Sequence, residues 1–188
     1  THTMNRRTWT TLLASLLATL ALTSSPAHAQ TKTLKVVAHA DVKILDPTFT
    51  TAYISRNFGY MVYDMPFGLD EKGQPKPQMV DKYELSKDKL TYTFTLRDGL
   101  KFHDGQPVRS ADCIASIDRW SKRDALGQKL AEATESWTAV NDKTFRLKLK
   151  KPFALTLEAL GKPSSNVPFI MPERVAKTDP FKNIEDAT

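Results

Sequence analysis

The chain has 188 residues, 40% of them hydrophobic and 26% charged, an ordinary globular composition with enough length for one domain and its core. A formal charge of +6 is too mild to argue for a nucleic-acid partner, and Arg146, Lys148 and Lys150 alternate as a solvated strand face does. A single cysteine excludes an internal disulfide, so the core must hold the fold without a covalent staple.

Residues 1–3 precede Met4 and read as extraneous. Arg6 and Arg7 then open a basic stretch, the apolar run LLASLLATLAL (residues 12–22) follows, and Ala27-His28-Ala29 has the small-residue spacing of a cleavage site. Residues 4–29 are therefore expected to be a cleaved export signal, with Gln30 as the mature N-terminus. The run is shorter than the roughly 20 residues a membrane span needs. Ordinary secretion is expected over the twin-arginine route, and no cysteine stands at the cleavage point to carry a lipid. Removing residues 1–29 takes away two arginines and no acid, leaving a charge of +4.

Residues 33–38 (TLKVVA) read as a short buried strand, closed by a turn at Leu45-Asp46-Pro47. Ile54, Phe58, Met61 and Val62 have helical spacing, so residues 53–64 form a helix weakened by Gly59. Residues 67–77 suggest a hairpin with Asp70 to Gly73 at its tip. LTYTFTLR (residues 90–97) is the clearest strand: Leu90, Tyr92, Phe94 and Leu96 face one way, and threonines and Arg97 the other. Residues 136–150 read as a second hairpin turning at Asn141-Asp142-Lys143. Residues 153–160 give a short helix with Gly161 as a left-handed cap, and Met171-Pro172-Glu173-Arg174-Val175 opens another. The fold class is mixed α/β, built of hairpins and short helices. Residues 178–188 add no closing element.

The stretch LRDGLKFHDGQPVRSADCIASIDRW (residues 96–120) holds most of the reactive side chains. Asp98-Gly99 and Asp104-Gly105 make turns, and Leu100 and Phe102 offer a short strand between them. Ser110 reads as a helix cap, with Asp112 in the first turn and Ile114, Ile117 and Trp120 as the buried stripe. His103 and Asp104 are adjacent, so on a strand they point to opposite faces and make no local metal pair. Cys113 lies in the first helical turn, where a thiolate is favoured, and its only histidine partners after Gln30 are His39 and His103. A secreted hydrolase using Cys113, or a serine, with one of these histidines is one reading; a small core residue is the other. No phosphate loop, nucleophile elbow or H-E-x-x-H pattern occurs, and no cofactor is expected.

The run DKLTYTFTLRDGLKFHD (residues 88–104) closely resembles the fingerprint of bacterial extracellular solute-binding proteins of family 5, the dipeptide, oligopeptide and nickel receptors of ABC importers. The resemblance extends to Leu45-Asp46-Pro47, Met61-Val62-Tyr63-Asp64, residues 77–83 (where Met79-Val80 and Tyr83 depart from the pattern) and the helix from Val108 to Trp120. It covers residues 33–175. It implies a type II-like, two-lobed periplasmic receptor that closes on a peptide or other small polar ligand. Such a receptor delivers its ligand to an inner-membrane ABC permease without catalysis, and is a monomer when full length. Residues 30–188 would then be part of the N-terminal lobe. Three loops would line the cleft: Thr50, Thr51, Tyr53 and Arg56; then Arg123 and Asp124; then Ser164, Ser165 and Asn166. A truncated, non-transporting remnant or interaction module is the alternative, and residues 30–188 alone are then expected to be poorly soluble.

Overall fold

The computed structural model describes residues 33–185. The expected export signal lies outside them. The chain divides at Val37. In the first part residues 33–37 have no regular structure, and Leu34, Val36 and Val37 are exposed. The strand expected over residues 33–38 is not formed. A strand is held by ladder bonds to a neighbour, and this run makes none among the described residues.

The second part begins with a loop and helix α1 (Tyr53–Val62). Its Ser55 hydroxyl donates to the Ile44 carbonyl at 2.6 Å and ties the helix to the incoming chain. Gly59 is required by packing: a Cβ there would lie 2.6 Å from Phe169 Cε2 and 3.0 Å from Pro47 Cβ. The glycine costs the helix up to about 1 kcal/mol and admits that close approach. Strands β1 (Phe67–Leu69) and β2 (Pro75–Pro77) form the expected hairpin, with Asp70 Oδ1 accepting the N–H groups of Lys72 and Gln74 in the turn.

The main sheet is four-stranded and antiparallel, in the order β3 (Val80–Leu85), β4 (Thr91–Leu96), β6 (Thr144–Leu149), β5 (Thr134–Ala139). β4 alternates as its sequence demands, with Tyr92, Phe94 and Leu96 buried. β6 matches it through Phe145, Leu147 and Leu149. Phe94 sits among Phe67, Tyr83, Tyr92, Trp137 and Phe145, the aromatic centre of the core. The β5–β6 turn is closed by Asn141 Oδ1, which accepts the N–H groups of Lys143 and Thr144.

Between β4 and β6 the chain departs from the sequence reading at several points. Gly99 and Gly105 take the left-handed turns, at φ 77° and 81°, but Leu100 and Phe102 make no strand; a single bridge joins Lys101 to Pro107. Helix α2 (Ser110–Ser121) is capped at Arg109, not Ser110, because the Asp112 carboxylate reaches back to the Arg109 N–H at 2.7 Å. Ser110 becomes the first helical residue. Ile117 and Trp120 are buried as expected, with Ile114 half-buried. A short turn carries Arg123 and Asp124, and a further helix, α3 (Ala125–Ala133), follows over residues for which the sequence suggests no element.

Helix α4 (Thr156–Leu160) starts three residues later than its sequence suggests. Gly161 is not a left-handed cap; its φ is −115°. Its lack of a side chain serves packing, since a Cβ would stand 3.1 Å from that of Phe67. Helix α5 (Glu173–Ala176) follows Pro172, and its first N–H is met by Asp112 Oδ1 at 2.7 Å.

Candidate functional site

The three loops expected to line a cleft meet in space, and buried polar groups hold them there. Asp46 is the first anchor. Its Oδ1 accepts the N–H groups of Thr48 at 3.0 Å and Phe49 at 3.2 Å, and so shapes the chain that carries Thr50 and Thr51. Arg119, from α2, grips both oxygens at 3.1 and 2.7 Å. The Ile184 N–H donates to Oδ2, and Arg119 donates also to the Lys182 carbonyl. One carboxylate thus ties the first loop, a helix and residues 182–184 together.

Asn166 is the second anchor. Its side-chain amide donates to the carbonyls of Thr48 and Thr50 at 2.9 and 3.2 Å, and its main-chain carbonyl accepts the Trp120 indole N–H at 2.8 Å. Asp124 is the third. Its Oδ1 caps α3 through the N–H groups of Leu126 and Gly127, while Oδ2 meets Lys162 Nζ at 2.5 Å. Lys162 also donates to the Ser164 carbonyl at 2.7 Å.

Arg123 donates to the Phe49 carbonyl at 2.7 Å, with its guanidinium 5.3 Å from the Phe49 ring and 5.2 Å from Phe181. On α1, Arg56 lies 4.5 Å from the Tyr53 ring centre. One further turn along, the Tyr60 hydroxyl donates to the Pro163 carbonyl at 2.7 Å and joins the helix to the third loop. Burial pushes the Tyr60 hydroxyl pKa up, opposed by the charge of Arg56.

The expected site residues therefore divide by role. Thr51, Tyr53, Ser164 and Ser165 are exposed, and Thr50, Arg56 and Arg123 are half-buried. Ser165 holds φ at 60°, a left-handed conformation that costs a non-glycine residue of order 1 kcal/mol. Asp124 and Asn166 are buried, the first capping α3 and meeting Lys162, the second donating to the Thr48 and Thr50 carbonyls. The sequence reading missed Arg119, Lys162 and Tyr60, and took Asp46 for turn punctuation. Besides contacts two or three residues on, their partners lie 38 to 138 positions away, where no local pattern reaches.

The groups considered for nucleophilic chemistry do not assemble. Cys113 is wholly buried; desolvation first, and the Asp112 charge second, hold its thiol pKa far above the ordinary value. His103 and Asp104 line a separate surface cavity of about 370 Å³ that does not include Cys113, and there Asp104 pairs with Arg174 at 3.4 Å. Among the described residues no group of three or more His, Cys, Asp or Glu is placed to hold a metal. The native protein is accordingly expected to leave Cys113 unmodified by iodoacetamide at pH 8 and to react only once unfolded. Stoichiometric native labelling would overturn this placement.

Residues 74–187 match the family model described as bacterial extracellular solute-binding proteins, family 5 Middle. The chain belongs to this family. Among curated relatives it is 40% identical, over 163 residues, to the probable peptide ABC transporter periplasmic-binding protein y4tO of Sinorhizobium fredii, covering 87% of this chain and 30% of that relative. It is 34% identical over 171 residues to the glutathione-binding protein GsiB of Salmonella typhimurium, covering 86% and 32%. In structure it is similar to the binding protein MoaA of A. tumefaciens R10, solved with mannopinic acid: TM-score 0.62, 27% identity, 71% of this chain and 28% of that one. The chain thus spans about a third of the length of the family members it matches. No described helix is long and apolar enough to cross a membrane.

Proposed function

We infer that the complete protein is the periplasmic substrate-binding component of an ABC importer for peptides or related small polar ligands. It binds by closure of two lobes, without catalysis, and hands its ligand to an inner-membrane permease. Residues 4–29 act as its cleaved export signal, and residues 30–188 supply part of the N-terminal lobe. The observation that carries this reading is the loop junction itself. Three loops from distant parts of a family 5 chain are fixed by buried Asp46, Asn166 and Asp124. Their outer positions, Thr51, Tyr53, Ser164 and Ser165, remain exposed. Such an edge offers hydroxyls and an aromatic ring to a peptide-like backbone at little reorganisation cost. The relatives named for peptide and glutathione binding support the ligand class.

A thermal-shift assay of the complete protein against a pool of di- to pentapeptides tests the function. Saturation at about 100 times Kd is expected to stabilise it by about 2.7 kcal/mol. Peptides recovered afterwards by mass spectrometry are expected intact. Cleaved peptides would replace the receptor reading with a hydrolase, and a flat melting temperature across the pool would remove peptides as ligands.

A further inference from the structure

Four cations stand around the loop junction, and three hold hydrogen-bond partners within it, although the Nε atoms of Arg119 and Arg123 are buried without one. Arg119 is neutralised by Asp46, and Lys162 by Asp124 and the Ser164 carbonyl. Arg123 is bound to the Phe49 carbonyl and flanked by two rings. Arg56 differs. Its guanidinium meets no acid and no carbonyl among the described residues; its one partner is the Tyr53 ring, at 4.5 Å. Its charge is felt at the Tyr60 hydroxyl, which is itself bonded to Pro163 beside Ser164 and Ser165.

We propose that Arg56 is the specificity-determining residue of this edge and that it receives a free carboxylate of the ligand. The proposal rests on the receptor function inferred for the complete protein. The physical case has three parts. Stacking on Tyr53 restrains a side chain that otherwise loses considerable rotamer entropy on binding, so the cation is partly organised in advance. A ring contact engages the face of the guanidinium and leaves its N–H edge free, and that planar fork matches the two oxygens of a carboxylate. The two acids of the junction, Asp46 and Asp124, are each consumed by another cation, so the junction's four cations carry an excess positive charge that an anionic group on the ligand would offset. Tyr53, Arg56 and Tyr60 recur at three and four residues along α1, which places them on one helical face.

The test uses the complete protein and two peptide pools of identical sequence, one with free C-termini and one with C-terminal amides, read by native mass spectrometry and calorimetry. The wild type is expected to prefer the free acids by about 10- to 100-fold, the worth of one charge-assisted hydrogen-bond pair. Arg56→Gln should erase that preference, lowering the affinity for the free acids far more than that for the amides. Arg56→Lys should restore part of it. Tyr53→Ala should weaken acid binding less than Arg56→Gln does. Equal wild-type affinity for the two pools, or an Arg56→Gln variant that keeps the preference, overturns the proposal and leaves the receptor function standing. Displacement of the free-acid pool by orthophosphate assigns Arg56 to a general anion site and overturns the carboxylate assignment. Retention of neither pool overturns both the peptide receptor and this proposal.

Discussion

Arg119→Met is expected to destabilise the complete protein by about 3–5 kcal/mol, the cost of leaving one charge of a buried pair without its partner. Asp46 and Arg119 are 0% and 2% exposed, so no water replaces the lost guanidinium. The Thr48, Phe49 and Ile184 N–H groups remain on the carboxylate and soften the loss without removing it. Asp46→Asn added to Arg119→Met should recover a large share, because the stranded charge is then gone. Urea unfolding of the wild type, both single variants and the double variant measures the coupling directly. A loss below about 1 kcal/mol for Arg119→Met, or a double variant no more stable than it, would show that the pair does not hold the junction.

Phe94→Ala is expected to cost about 3–5 kcal/mol, the range for emptying a large aromatic from a packed core. The site cannot collapse easily. Five aromatic rings surround Phe94, with centroids from 5.2 Å (Phe145) to 6.4 Å (Tyr83 and Trp137). Each is itself held by a strand, so a cavity persists and the lining loses its dispersion contacts. Tyr83→Ala serves as the control, since Tyr83 lies on edge strand β3 and is 38% exposed. It should cost less than half as much as Phe94→Ala. Near-ultraviolet circular dichroism should report loss of the aromatic signal in Phe94→Ala, and similar losses from the two variants would relocate the core's centre.

The parts of the fold legible in the sequence are those whose pattern repeats locally. Strand β4 announces itself through Tyr92, Phe94 and Leu96, and α2 through Ile117 and Trp120. Strand β3 escaped because only Val80 is buried; Asp81, Lys82 and Glu84 give it the charged face of an edge strand, which reads as loop. Helix α3 escaped for a related reason. Its buried positions are Gly127, Leu130 and Ala133, two of them small, so its apolar stripe barely registers. Residues 33–38 failed in the other direction: β-branched composition suggests a strand, but a ladder needs a second partner that composition does not supply. At the candidate site, the resemblance to family 5 brought the three loops together. Of the residues that fix them, Asp124 and Asn166 were singled out as ligand contacts and not as anchors, and Asp46 shows its role only once Arg119 and Ile184 have folded around it.

That dependence also sets an order of events during synthesis. The β5–β6 hairpin pairs residues 6 to 15 positions apart, so all its partners leave the ribosome together. Asp46 must wait for Arg119, 73 residues later, and for Ile184, 138 residues later. At about 5–20 residues per second the second delay is roughly 7 to 28 s, longer by many orders than the microseconds a hairpin needs. The sheet is complete only once Leu149 has been made, so for the last 35 residues of that interval, roughly 2 to 7 s, a nascent chain can hold the sheet while the edge that would meet a ligand is still unshaped. The binding edge is therefore the last feature of this region to mature, and a fault in residues 166–184 would surface there before it reached the sheet.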